Sequence, residues 1–431
     1  MSTLTHTTSP DRFPLPLGGG ALRPLLVPEQ ERAPLLARYS DAPRIPISGR
    51  AHGDLLMLGN GGFTPLDGFM GRTDWKMVCE NMTLADGTFW PLPVVLDVDD
   101  DTPAQVGAHV VLTFADRPVG ILEVREIWRL SDEDILFECA RVFRGAGKDS
   151  EDFERLGPER HPGVQHVMNR KRTCLGGRLT VLDSGSFPDL PPGFVLSPME
   201  LRAMARERSW KKIVCLQLRN PPHRSHEYLA RIGLEIADAL LIHTPVGTLK
   251  PGDLPADVRL RAIRALIDNY LPSDRVILAG YPLDMRYAGP REALLHAAFR
   301  QNYGVTMQIV GRDHAGVGDF YAPFEAQDIF SRLPDPPAPE KDLLVQPLKI
   351  KWPFYCRKCD SMASLNTCPH GMESRVFHSG SLLRKCFTEN TLPPEGFIRP
   401  EVFDILAEHY RSAPSAERIV LYGAADGSTL N

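Results

Sequence analysis

The residues best able to do chemistry sit in one run, Gln217-Leu218-Arg219-Asn220-Pro221-Pro222-His223-Arg224-Ser225-His226. Arg219 presents a planar fork of donors that grips oxyanions bidentately, and Gln217 and Asn220 add amides. His223 and His226 are three residues apart, a spacing that brings two side chains onto one helical face. The apolar, β-branched run Lys212-Ile213-Val214-Cys215-Leu216 precedes them, and Tyr228, Leu229, Ile232, Leu234 and Ile236 recur at helical spacing after them. The run therefore reads as a strand, a tight loop and the first turn of a helix, with Asn220 as N-cap and Pro221 at the first helical position. The free N–H groups and partial positive charge of a helix N-terminus suit an anion. With Arg219 and two imidazoles beside it, the anion suggested is a polyanion such as a nucleoside triphosphate.

A second loop, Gly311-Arg312-Asp313-His314-Ala315-Gly316-Val317-Gly318, follows the apolar stretch Met307–Val310. Glycines let the backbone approach phosphates closely, and Arg312 adds a fixed positive fork. The spacing is neither that of a Walker loop nor that of a dinucleotide fingerprint. A third segment, Asp284-Met285-Arg286-Tyr287-Ala288-Gly289-Pro290, reads as a helix start with an early proline and offers Arg286 to the same pocket. Cys356-x-x-Cys359 is followed by Cys368-Pro369-His370, which is metal spacing. Cys356, Cys359, Cys368 and His370 would close a tetrahedral structural zinc site, with His378 as the alternative fourth ligand.

The elements that must position these residues alternate between strand and helix over 186–350. Strands are expected at 239–243, 276–278 and 305–310, and helices at 257–270 and 291–303. Such alternation means a mainly parallel sheet with helices on both faces, and ligands bind beyond the strand C-termini, where Gln217 and Gly311 fall. Residues 90–145 read mostly as strands, around 94–96, 110–112 and 120–124, so the first domain is β-rich. Residues 1–50 are rich in Pro and Gly and read as an irregular arm. Gly61 to Met70 reads as a glycine-rich turn that packs Phe63 and Phe69, and 175–193 as a linker. The expected division is 1–185, 186–350 and 351–431.

The chain has 431 residues, 43% of them hydrophobic and 24% charged, with a net charge of -5. The acidic balance argues against general nucleic-acid binding. No run approaches the ~18 apolar residues of a membrane span. The polar first ten residues lack the basic-then-apolar order of a signal peptide, so a cytoplasmic protein is expected. Eight cysteines in this length do not form a dense disulfide framework.

The quoted motifs resemble those of the ATP sulfurylase (sulfate adenylyltransferase) family. The resemblance rests on Gln-x-Arg-Asn-Pro-x-His-x-x-His at 217–226, Gly-Arg-Asp-His-Ala-Gly at 311–316, Met-Arg-x-Ala-Gly at 285–289, the Gly-Phe to Phe-Met segment at 62–70, and closing segments at 378–384 and 392–402. It runs from about residue 50 to the end. It implies an α/β multidomain fold: a PUA-like N-terminal domain, a Rossmann-like nucleotidyltransferase (adenylyltransferase) catalytic domain, and a small C-terminal α/β domain with a zinc loop. No Walker loop follows the closing segments, so a form without a fused kinase domain is expected, leaning to the dissimilatory type. A homodimer is the family expectation.

The reaction so implied is MgATP plus sulfate giving adenylyl sulfate and pyrophosphate, by in-line attack of a sulfate oxygen on the α-phosphorus. It runs in reverse to make ATP in sulfur oxidation. Sulfate is already an anion, so the site needs no general base and must instead join two anions and neutralise developing charge. The resemblance gives Arg219 to sulfate and the α-phosphate, and Gln217 to sulfate. Asn220 goes to a phosphate or to the helix cap. His223 and His226 take the β- and γ-phosphates, with His223 at the leaving oxygen. The amides of Gly311, Arg312, Asp313, His314 and Ala315 receive nucleotide and sulfate, and Arg312 contacts a phosphate or hydroxyl. Many members carry Thr where this chain has Leu218, which acts through its N–H or in support only. Magnesium is held by phosphate oxygens and water. Two other readings are a nucleotidyltransferase with a different acceptor and a zinc-dependent PUA-type RNA-binding protein.

Overall fold

Two domains with separate sheets share one continuous core. The computed structural model describes residues 13–145, 154, 157–247, 254–378, 380–389, 391, 393, 394 and 396–412. The readings of the first ten residues, of Ser379, Leu392 and Glu395, and of the end at Asn431 lie outside the described residues. The first sheet contains β1 (Arg44–Pro46), β2 (Gly68–Phe69), β3 (Leu96–Val98), β4 (His109–Phe114), β5 (Arg117–Arg129) and β6 (Thr173–Val181). The order is β1-β4-β5-β6-β2, with β3 also on β6. Only β1–β4 is parallel. Phe63 and Phe69 are buried in its core, as the glycine-rich turn predicted.

Two sequence expectations fail here. The arm is not irregular throughout: Glu29–Arg38 is a helix despite Pro34, and β1 follows it. Leu35, Leu36 and Tyr39 of this segment pack on Val111, Ile121 and Leu182, so tertiary burial rather than propensity holds it. The linker expected from 175 onward begins later, because Leu175 to Arg178 lie within β6. Gly176 and Gly177 mark close backbone approach, not a turn. A Cβ on Gly177 would strike the Glu123 carbonyl, and one on Gly176 would come within 2.8 Å of Gly71 Cα.

The second sheet is the floor of the second domain. β7 (Ile213–Gln217), β8 (Ala239–Pro245), β9 (Val276–Tyr281), β10 (Met307–Val310) and β11 (Gln346–Lys349) lie in the order β11-β10-β7-β8-β9. Every pair is parallel, as the alternation predicted. Side chains alternate faces even though both faces are buried. Ile213, Cys215, Leu241, Ile277 and Ala279 join the core shared with the first domain. Val214, Leu216, Leu240, Ile242 and Leu278 pack on the other side, with Leu229 and Leu234 of the Arg224–Ile236 helix and Ile263 and Ile267 of the Ala256–Tyr270 helix.

A small antiparallel sheet follows, with β12 (Pro353–Cys356) between β13 (Ser361–Ser364) and β14 (Arg375–Phe377). Beyond it, the Pro400–Ser412 helix places Val402 and Leu406 against Val258, Ala262 and Leu266 of the second domain. Among the described residues no helix is long and apolar enough to cross a membrane.

Candidate active site

The C-terminal ends of β7, β10 and β11 open into a cavity of about 340 Å³. Gln217, Leu218, Arg219, Asn220, His223 and His226 line it from the first loop, and Gly311, Arg312, Asp313, His314 and Ala315 from the second. Two segments some ninety residues apart thus meet where an open α/β sheet binds ligands. The cavity is more polar than most small-molecule sites, which suits a polyanion.

Gln217 is held from behind. Its Oε1 accepts a 3.1 Å hydrogen bond from Nη1 of Arg300, which also donates to Gln308 Oε1 at 3.1 Å. The amide is thereby oriented with its NH2 group left to donate, 3.6 Å from Met285 Sδ. Arg219 donates from Nη1 to the Tyr287 hydroxyl at 3.1 Å, and its guanidinium carbon lies 5.3 Å from the Tyr287 ring centre. This side contact fixes the fork, and among the described residues no carboxylate lies within ion-pair distance of it, although Glu292 and Asp313 feel its charge.

The helix begins later than expected. Its N-cap is His223, not Asn220, and its first residue is Arg224. The reason is the tandem proline: a residue before proline is pushed out of the helical region, so Pro222 keeps Pro221 extended and Pro221 does the same to Asn220. No hydrogen bond engages the Asn220 side chain among the described residues, so its amide stays available. His223 and His226 still meet, with ring centres 4.0 Å apart and His226 Nδ1 accepting from the His223 backbone at 3.3 Å. Burial holds both imidazoles neutral at pH 7, His226 with its pKa pushed down to about 4.

Of the two roles expected for Leu218, its surroundings leave the supporting one. Its N–H donates to the His243 carbonyl at 3.2 Å, and its side chain belongs to the apolar cluster above the sheet. The position is a packing anchor. In the second loop the Asp313 amide is likewise taken, by the Pro323 carbonyl at 2.8 Å. His314 turns its Nε2 to His296 Nδ1 at 3.0 Å. Asp313 and Ala315 have positive φ, 53° and 57°, backbone that only an over-determined loop sustains in non-glycine residues. Arg312 lies flat over Trp352, 4.0 Å from its ring centre.

Arg286 does not reach this cavity. Its guanidinium pairs with the buried Asp54 carboxylate, and its own N–H donates to Glu292 at 2.8 Å. Asp54 draws it to the seam with the first domain, where it lines a separate small cavity. Met285, its neighbour, faces the active cavity instead. Sequence reasoning overlooked Trp352, Arg300 and Gln327. Trp352 follows β11 as Gln217 ends β7, so the rule about strand ends would have found it. Gln327 donates to the carbonyls of Val310 and Ile350 at 2.8 and 2.9 Å and clamps the ends of two strands. Nothing in the sequence distinguishes Arg300 or Gln327 from solvent-facing helix residues.

Cys356, Cys359, Cys368 and His370 form the cluster that spacing suggested, with their donor atoms all within 4.8 Å of one another. His370 Nδ1 is 3.3 Å from the sulfurs of Cys356 and Cys359 and 3.7 Å from that of Cys368. The Cys359 and Cys368 sulfurs are 3.8 Å apart. A tetrahedral ion with bonds of ~2.3 Å to sulfur and ~2.0 Å to nitrogen would set such pairs roughly 3.5 to 3.8 Å apart, so the donor set fits a metal of zinc's size. His378 is not part of it and lines the active cavity instead.

Comparison with known proteins decides the family. The ATP-sulfurylase profile matches residues 192–409. The sulfate adenylyltransferase of Desulfovibrio desulfuricans is 53% identical over 389 residues, 90% of this chain and 92% of that one. This chain belongs to the ATP-sulfurylase family. Its sulfurylase segment is preceded by a PUA-like domain matching residues 15–184. The sulfate adenylyltransferases of Desulfatibacillum aliphaticivorans and Entamoeba histolytica are 50% and 45% identical, over 96% and 94% of this chain and 99% and 94% of theirs. A solved structure of a hexameric APS kinase from Thiobacillus denitrificans has a TM-score of 0.67 over 91% of this chain and 68% of its own, at 23% identity, which speaks to the fold alone.

Proposed function

We infer that this chain is a sulfate adenylyltransferase, forming adenylyl sulfate and pyrophosphate from ATP and sulfate. The observation that carries the site assignment is the single cavity lined by both family loops. In our reading Arg219 bridges sulfate and the α-phosphate, bringing two anions to bonding distance and absorbing charge as the α-phosphorus becomes five-coordinate. Gln217, locked by Arg300, donates to a sulfate oxygen. His223 and His226 bind the phosphates that leave as pyrophosphate, and Asn220 donates to the same chain. The second loop receives the nucleotide, with the amides of Arg312, His314 and Ala315 in place of that of Asp313. Magnesium enters with ATP as part of the substrate, held by phosphate oxygens and water.

The Cys and His cluster is proposed to bind zinc; when bound, the ion supplies tetrahedral closure of a small sheet and no reaction chemistry. We further propose a cytoplasmic homodimer, which light scattering would show as a particle of about twice 47.9 kDa. Reaction direction in the cell, including ATP formation by a sulfur oxidiser, follows from pyrophosphate supply and removal. The function is tested by pyrophosphate release from MgATP, which must depend on added sulfate. Release that is indifferent to sulfate but stimulated by a phosphate ester would point to another acceptor.

A further inference from the structure

We propose that His378, delivered by the small C-terminal sheet, is a third imidazole on the pyrophosphate end of the site and donates from Nε2 to a phosphate oxygen. This deepens the proposed function and rests on that reading. The first observation is placement. His378 immediately follows β14 and lines the same cavity as His223 and His226, although it lies some 150 residues beyond them. Its ring centre is 5.8 Å from that of His223 in an edge-on arrangement. Its Nδ1 is 3.1 Å from the Ser225 hydroxyl, in the first turn of the signature helix.

The second observation is an unmet donor. His378 is only 6% exposed, and among the described residues its Nε2 has no hydrogen-bond partner. His223 Nδ1, beside it, has none either. A buried polar atom left unpaired is destabilising. The His378 ring is satisfied when Ser225 donates to its Nδ1, because the ring proton then sits on Nε2 and needs an acceptor at the cavity side. Phosphate oxygens are acceptors without donors, and the reaction brings a chain of them to this end of the cavity. Burial and nearby Arg224 push the His378 pKa down to about 4, so the ring is a neutral donor at pH 7.

The C-terminal part is anchored for this purpose. The Phe397 carbonyl accepts from the Arg224 N–H at 2.9 Å, and Arg399 grips Glu227 through two hydrogen bonds of 2.8 and 2.7 Å. Phe397 also packs on His378, with ring centres 4.6 Å apart. The ring is therefore fixed from three sides: Ser225, Phe397 and its own strand.

The test is calorimetric titration of magnesium pyrophosphate, and separately of adenylyl sulfate, into the full-length protein. Wild type, His378→Phe, His378→Gln and Ser225→Ala are compared, with metal content and melting temperature measured for each. The expected result is pyrophosphate binding weakened about tenfold in His378→Phe, as for loss of a hydrogen bond to a charged group, and largely restored in His378→Gln, whose amide reaches the Nε2 position. Adenylyl sulfate binding stays within about twofold, and Ser225→Ala weakens pyrophosphate roughly threefold by freeing the ring. Unchanged pyrophosphate affinity in His378→Phe overturns the inference. So does equal weakening of both ligands, which would be a structural effect. If His378→Phe does not fold, His378→Gln and Ser225→Ala decide: wild-type pyrophosphate affinity in Ser225→Ala, or equal weakening of both ligands in either variant, rejects it. Wild-type protein that makes no ATP from adenylyl sulfate and pyrophosphate would instead fail the functional reading, which these binding data do not depend on.

Discussion

The five-stranded parallel sheet and the three-stranded sheet face the same cavity but are held by different forces. The parallel sheet packs a continuous apolar layer on each face, with Val214, Leu240, Leu241 and Ile242 fully buried. The small sheet buries Phe354, Cys356, Ala363 and Cys368 in its own cluster, so half of that cluster consists of candidate metal ligands. The parallel sheet folds by burial and so positions Gln217, Arg219 and the second loop. The three-stranded sheet is too small to do so alone, as small scaffolds generally need a staple. Yet Trp352, which supports Arg312, begins the segment leading into β12, and His378 ends β14. On the zinc proposal, part of the site depends on metal ligands rather than on a core.

Breaking each side should give distinct failures. Arg219→Ala should lower turnover by roughly 10³-fold with an unchanged melting temperature, because it removes charge stabilisation on an intact sheet. Cys368→Ser, or removal of metal by a chelator, should lower turnover by about 10²-fold through misplacement of Trp352 and His378. Hydrogen exchange would then rise across 353–377 and stay protected in β7, β8 and β9. Uniform loss of protection would mean that the two sheets are not separable. Metal analysis of protein purified without chelator should give one zinc per chain.

Glu227 is the hinge between the two sides. Burial opposes its charge, and hydrogen bonds from Arg399 and Arg231 more than offset this, holding the carboxyl below its usual range. Glu227→Gln should cost roughly 2 kcal/mol and loosen the C-terminal part first, measurable as earlier proteolysis near Arg399. Acid should act in the same direction through histidines. His161, His226 and His378 have pKa values pushed to about 4 by burial, and His166 to about 3, from an ordinary 6.5. The unfolded chain binds these protons first, so stability falls as pH drops from about 6.5 toward 4. A melting temperature that stays flat across that window would contradict the burial. The smallest effect expected is Gly233→Ala: its Cβ would sit 2.8 Å from Val214 Cγ1, and crowding of about 1–3 kcal/mol is partly offset by better helix propensity.

What the sequence made legible follows the same division. Period and composition sufficed for β7, β8, β9 and β10, because each is a short apolar run ending in a polar loop, but not for β11, whose Gln346-Pro347-Leu348-Lys349 carries no apolar run. The Cys and His spacing was legible because four ligands within fifteen residues have few other uses. The helix start was misplaced, since the N-cap preference for Asn was weighed without the tandem proline. The surroundings of Arg286, offered to the pocket, and of His378, the reserve zinc ligand, were illegible for another reason: their partners, Asp54 and Ser225, are remote in sequence, and only the fold brings them together. The helix at Glu29–Arg38 escaped because its stability comes from the far face of the first sheet.

The most direct measurement is ATP formation from adenylyl sulfate and magnesium pyrophosphate, followed by luciferase light, with wild type and Arg219→Ala side by side. The account predicts prompt light from wild type and none above background from the variant, both proteins melting at the same temperature. Equal light from the two would contradict the assignment of Arg219 to the reacting centre, and no light from folded wild type would contradict the activity itself.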